Sequence, residues 1–172
     1  MAAGVTLSAL EEKFGKYPII RIMPNMPVSC GAGTTVYCHN DLVNQEELCE
    51  FEGAMKHSGK VLPIEEKLID AASALSGCGP AFVYMFIQAL SDGGVDCGLP
   101  RELALELAVN TVIGSGITVD KTELHPDVLK DMVCSPGGST IEGVYALERG
   151  SLRADVMDAV ICSYKKTILL GK

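Results

Sequence analysis

Positive charge is scarce in this chain: 14 Lys and Arg stand against 22 Asp and Glu, a net charge of −8 over 172 residues. Nucleic-acid binding needs clustered Lys and Arg, so that class of partner is not expected. No basic amphipathic stripe suggests a membrane surface either. Histidine is rarer still. His39, His57 and His125 lie far apart, without H-E-x-x-H or any other metal-ligand spacing. No metal site is expected, and these histidines read as structural or surface residues. The seven cysteines (Cys30, Cys38, Cys49, Cys78, Cys97, Cys134 and Cys162) contain no C-x-x-C pair. They read as small buried hydrophobes in a reducing cytoplasm. No histidine stands close enough in sequence to Cys134 to activate it as a nucleophile.

A glycine fingerprint for phosphate is also missing. GAGTTV at Gly31, GCGPAF at Gly77 and GSGITV at Gly114 all lack the third glycine of G-x-G-x-x-G. No G-K-[ST] ending marks a nucleotide P-loop. Met1 is followed by Ala-Ala-Gly-Val-Thr rather than a basic and then apolar run, so no secretory leader is expected. Residues 71–90 carry no charge and are long enough to suggest a membrane span. Gly77, Gly79 and Pro80 interrupt that run, which predicts helix, loop, helix in a soluble protein. The positive mean hydropathy, +0.26, then fits helices buried all round, in a layer shared with a second subunit.

The halves of the chain differ in pattern. A short helix over 6–14 is closed by Gly15. Strands are predicted at 19–23, ended by Pro24, at 34–38 in a β-branched run, and at 60–64. Between the last two, 44–57 reads as an amphipathic helix with Leu48, Phe51 and Met55 on one side. Strands alternating with helices indicate an α/β layer. After Glu65 only helices are predicted: 65–75, 80–92, 100–119, 125–133, 140–148 and 153–170. Pro80 and Pro100 suit first turns, while Gly93-Gly94 and Gly150 suit helix ends. Gly114 and Gly116 lie inside the longest helix at about 1 kcal/mol each relative to alanine, which close helix packing would offset. The fold class is α/β followed by all-α, with domains over 1–64 and 65–172. Three short strands and two helices make a poor free-standing sheet, so the first domain reads as the end of something larger.

The most informative stretch is VCSPGGSTIEG, residues 133–143. A Pro-Gly-Gly turn runs into a helix start, and Ser139 with Glu142 has the spacing of a capping box. Gly137 and Gly138 put no Cβ in the way of a ligand. Free N–H groups, the Thr140 hydroxyl and a helix dipole would converge on a small anion such as a carboxylate. A tight turn that only opens a helix gives the same local pattern.

The whole chain resembles the pyrroline-5-carboxylate reductase family, from AAGVT through IRIMPNMP, LSGCGPAF and GGVDCGLPRELA to HPDVLKDMVCSPGGSTIEGVYALE. The resemblance implies a Rossmann-type dinucleotide-binding domain, here only its C-terminal part. It is followed by a helical domain, like that of 6-phosphogluconate dehydrogenases, that interlocks with a second subunit. A homodimer or a ring of dimers is implied. So are NADPH or NADH as cofactor and 1-pyrroline-5-carboxylate as the substrate reduced to L-proline. The N–H groups around Gly137 and Gly138, with Ser135, would take the substrate carboxylate. The Thr140 hydroxyl would bond the imine nitrogen, and Glu123 would line the same pocket. Asn25 would face the nicotinamide, with Met23 and Pro24 as its wall and Ser76, Gly77 and Gly79 in the helix-start loop beside it.

Hydride addition to C=N needs a hydrogen-bonded nitrogen and rigid placement of the acceptor carbon, so no strong acid–base set is required. The departure from the family is the missing glycine fingerprint. It implies that roughly the first half of the dinucleotide-binding domain is lacking. Cofactor affinity would drop by several kcal/mol, at roughly 1.5–3 kcal/mol for each charge-assisted hydrogen bond lost. Met132 replaces an amide residue found in some relatives, removing one side-chain contact to the cofactor. Two alternatives stand beside the reductase: an inactive fragment that only dimerises or binds ligand, and a helical domain of another 6-phosphogluconate-dehydrogenase-like family.

Overall fold

Thr6 and Gly15 bound the first helix, α1 (Leu7–Phe14), in a computed structural model that describes residues 4–170. The Thr6 hydroxyl accepts from the Ala9 N–H at 3.1 Å, and Gly15, at φ 89°, turns the chain out of the helix. The three predicted strands form one sheet in the order β1 (Ile20–Pro24), β2 (Gly33–His39), β3 (Gly59–Pro63). β1 is antiparallel to β2, with Ile22 opposite Tyr37; β3 is parallel to β2, with Val61 opposite Thr35. A parallel return needs a crossover, and helix α2 (Gln45–Met55) supplies it. Asn44 and Glu47 close a full capping box at its start. Leu48, Phe51 and Met55 form its half-buried side.

The core lies on one face of the sheet, where Met23, Val36 and Cys38 meet Leu7 of α1 and the fully buried Ile69. Burial of such a side chain contributes about 1.5–3 kcal/mol. Arg21 shares that face and is buried, so its charge needs partners. Glu66 Oε1 and Asp70 Oδ1 supply them at 3.1 and 3.4 Å. On the other face the Tyr37 ring meets Phe51 edge-on, centroids 5.0 Å apart, and its hydroxyl donates to Glu52 at 2.5 Å. That bond, with burial and the Glu52 charge, pushes the Tyr37 pKa up to about 12.

Beyond β3 a short 3₁₀ turn (Glu66–Leu68) leads into α3 (Ile69–Ala72), a π-helical turn (Ser73–Gly77) and α4 (Gly79–Asp96). The loop expected at LSGCG is therefore a π turn, and the helical run carries through it. The described residues form two compact units: one takes those up to Ala81 and those from Asp158 on, the other Phe82–Met157. The second unit holds most of α4, then α5 (Arg101–Thr122), α6 (Pro126–Val133), α7 (Ser139–Arg149) and the start of α8 (Leu152–Leu170).

Three expectations change here. Gly93 and Gly94 do not end α4; the chain turns out at Gly98, φ 97°. The bare Cα of Gly94 instead admits α5, since a Cβ there would sit 3.2 Å from the Ala104 Cβ. Four cysteines (Cys30, Cys49, Cys97 and Cys162) are exposed, and only Cys38 is buried. They lie on surfaces the single chain leaves open. Among the described residues nothing lies within 4 Å of a Cβ built at Gly114 or Gly116, so no packing among them offsets the cost of these glycines. α4 and α5 are likewise open, with Met85 73% and Ile113 53% exposed. The runs 66–96 and 101–122 are long and apolar enough to cross a membrane by length and composition.

Candidate functional site

The SPGGST turn joins α6 to α7 within the second unit. Gly137 adopts φ 67°, the left-handed region, which an L side chain enters at a cost of about 1–2 kcal/mol. Gly138 is the N-cap of α7, and its N–H bonds the Ser135 C=O at 3.0 Å. A Cβ at Gly138 would overlap Ser135 Oγ, so the serine hydroxyl folds over this glycine. The expected capping box is not formed. Ser139 is the first helical residue rather than the cap, and no side chain caps α7. A glycine cap has no side-chain acceptor, so the first N–H groups of α7 keep their donors free of a cap. Thr140 is exposed in that first turn, and its hydroxyl bonds nothing among the described residues. The turn can thus offer backbone donors, the hydroxyls of Ser135, Ser139 and Thr140, and a positive helix end to an anion.

Helices on both sides hold this turn. Arg153 at the start of α8 bonds Glu148 of α7 at 2.6 Å and Asp127 of α6 at 2.9 Å. The guanidinium, with Lys130, holds the Asp127 carboxyl below the usual carboxylate range. Sequence reading missed Arg153; a cation spaced 26 residues from its partner leaves no local pattern. His125 serves α6, its Nδ1 accepting from the Asp127 N–H at 3.2 Å. Glu123 ends α5 at φ 55°, one of two described non-glycine residues in the left-handed region. A residue with a Cβ holds that conformation at a cost of about 1–2 kcal/mol.

The other candidates lie in the first unit. Met23 is a core residue, packed with Leu7, Val36, Cys38 and Ile69. Its side chain is therefore turned into the core rather than standing as an open wall. Pro24 is half-buried at the end of β1. Asn25 is engaged at both ends of its amide: Nδ2 donates to the Ser76 C=O at 3.1 Å, and Oδ1 accepts from the Thr34 N–H at 2.9 Å. The structure therefore brings Asn25 and Ser76 together. Ser76 and Gly77 belong to the π turn, and Gly79 opens α4 with nothing within 4 Å of a built Cβ.

Gly79 has open space beside it, and Pro24 and Asn25 lie half-buried in the loop after β1. Among the described residues no glycine turn joins a strand to a helix start, as a pyrophosphate cradle requires.

A family model described as pyrroline-5-carboxylate reductase dimerisation matches residues 66–170, the SPGGST turn included. The chain belongs to the pyrroline-5-carboxylate reductase family. Pyrroline-5-carboxylate reductases of Arabidopsis thaliana and of Synechocystis are 46% identical over 167 residues and 42% over 170. Those alignments cover 97% and 99% of this chain but 60% and 64% of the relatives, so the chain spans about three fifths of their length. Among solved structures, the Plasmodium falciparum pyrroline carboxylate reductase with NADP bound superposes with a TM-score of 0.92 at 40% identity, over 99% of this chain and 69% of that one. The Streptococcus pyogenes 1-pyrroline-5-carboxylate reductase gives 0.91 at 37%, over 98% and 65%. The short sheet followed by helices is thus the closing part of the family's Rossmann-type domain with its helical dimerisation domain.

Proposed function

We propose that this chain acts as a pyrroline-5-carboxylate reductase, reducing 1-pyrroline-5-carboxylate to L-proline with NADPH or NADH. The observation that carries the reading is the helix start at Gly138: donors without a side-chain cap, two glycines, and the Thr140 hydroxyl in the same turn. The N–H groups around Gly137 and Gly138, with Ser135, hold the substrate carboxylate. Fixed there, the ring places its protonated imine nitrogen at the Thr140 hydroxyl, whose oxygen accepts the N–H that the nitrogen keeps in the product. Glu123 lines the pocket. The bound cofactor supplies the hydride to the imine carbon. Pro24, Asn25, Ser76, Gly77 and Gly79 shape the place where its ring lies, and Met23 supports them from the core. Rigid placement carries most of the rate, which fits a site with no carboxylate pair or activated nucleophile.

We read this division of labour as domains over 1–64 and 65–172, the second beginning one residue before the family match. A second copy of the chain covers the open faces of α4 and α5, giving a homodimer or a ring of dimers. Those faces are then protein-covered rather than membrane-spanning. Seven unpaired cysteines support a reducing, cytoplasmic setting.

The test is oxidation of NADPH and NADH by the purified chain with and without 1-pyrroline-5-carboxylate, with L-proline measured as product. Equal amounts of oxidised cofactor and proline are expected. Thr140→Val should lower kcat about a hundredfold while the chain stays folded. No substrate-dependent oxidation by a folded chain that binds L-proline would leave it a substrate-binding and dimerisation module.

A further inference from the structure

Pro80 deprives a carbonyl of its helical donor. In a continuous helix the Ser76 C=O would accept from the N–H four residues on, and residue 80 has none. The surrounding amides are committed elsewhere: the Cys78 N–H closes the π turn on the Ser73 C=O at 3.0 Å, and the Ala81 N–H bonds the Cys78 C=O at 3.0 Å. A half-buried carbonyl left without a donor is costly. Its partner comes instead from 51 residues earlier, where Asn25 Nδ2 donates at 3.1 Å. The oxygen of the same amide takes the Thr34 N–H at the start of β2. An amide is suited to this place because it carries a donor and an acceptor side by side; aspartate lacks the donor.

We propose that Asn25 is a positioning residue: its amide takes the carbonyl that Pro80 orphans, and so pins the π turn bearing Ser76 and Gly77, with Gly79 directly after it, to the loop between β1 and β2. The claim that the pinned turn then sets the cofactor ring rests on the reductase reading. A π turn has one residue more per turn than its helix and so has an alternative, α-helical packing close by. A link from outside the helix selects one of the two. Asn25 thus acts on hydride transfer through the turn it fixes, rather than through a contact of its own.

The experiment is a double-mutant cycle on the whole chain, Asn25→Asp with Pro80→Ala, read by urea unfolding and amide hydrogen exchange. Asn25→Asp keeps the acceptor for Thr34 and loses only the donor. It should shift the unfolding equilibrium about tenfold and speed exchange at Cys78 and Gly79. Pro80→Ala gives residue 80 an N–H for the Ser76 C=O, so in that background the Asn25 substitution should cost several-fold less. Asn25→Ala, compared in the same two backgrounds, serves if the aspartate variant does not fold. Equal costs in both backgrounds would overturn the link. In the turnover assay Asn25→Asp should lower kcat about tenfold and leave KM for 1-pyrroline-5-carboxylate unchanged, because the carboxylate donors lie at α7. A raised KM with unchanged kcat would overturn the positioning role. A parent chain that oxidises no cofactor counts against the reductase reading alone, and the cycle still decides the link.

Discussion

At the residue scale, Glu123 shows how a local rule is broken at a candidate site. Its left-handed backbone, φ 55°, is the conformation a glycine would take at a helix end. Glu123→Gly should therefore raise stability by about 1 kcal/mol in thermal unfolding while weakening L-proline binding. A less stable variant would contradict the backbone cost, and one that binds as tightly as the parent would remove Glu123 from the pocket. The sequence names Glu123, Ser135, Gly137, Gly138 and Thr140 through a contiguous motif and a family likeness. It misassigns the cap because Ser139 and Glu142 match the capping-box spacing one residue too late, and only the backbone shows Gly138 at the N-cap. Arg153 and the Asn25–Ser76 link were illegible for a different reason: partners 26 and 51 residues apart leave no short-range pattern.

At the scale of elements, all three strands and every long helix were legible, because β-branched runs, prolines and caps act locally. The π turn was not. Two glycines and a proline read as a break, yet the Ser73–Gly77 turn keeps the chain helical while shifting its hydrogen-bond register. The contact of α2 with the sheet also has a measurable signature. The Tyr37 hydroxyl, bonded to Glu52 and buried, has its pKa raised from 10.0 to about 12. A group whose folded pKa lies above its unfolded value stabilises the fold fully below the unfolded pKa. Stability should therefore fall as pH rises from 10 towards 12, and urea midpoints across that range should show the slope. In Tyr37→Phe the slope attributable to this group should vanish; a slope that persists unchanged would place the alkaline loss elsewhere.

At the scale of the whole molecule, the open faces of α4 and α5 matter most. Apolar residues such as Met85 and Ile113 stand in solvent in the single chain, and Gly114 and Gly116 keep a helix surface low with nothing packed on it. A second copy would explain both, since close approach offsets the helix cost of those glycines, about 1 kcal/mol each. Sedimentation should give a dimer or a larger even assembly, and Met85→Glu with Ile113→Asp should lower that mass to the monomer. A monomeric parent, or a double variant that assembles normally, would contradict the shared layer. The sequence anticipated this surface from its hydropathy, but buried and uncovered helices look alike until the packing of one chain is known.

The central claim is that the turn before α7 is a carboxylate site, and calorimetric binding of L-proline tests it without needing a complete cofactor site. The account predicts saturable binding to the parent chain and its loss in Gly138→Val, whose side chain would displace Ser135 and fill the approach to the N–H groups, with the circular dichroism unchanged. Equal binding by parent and variant would contradict it.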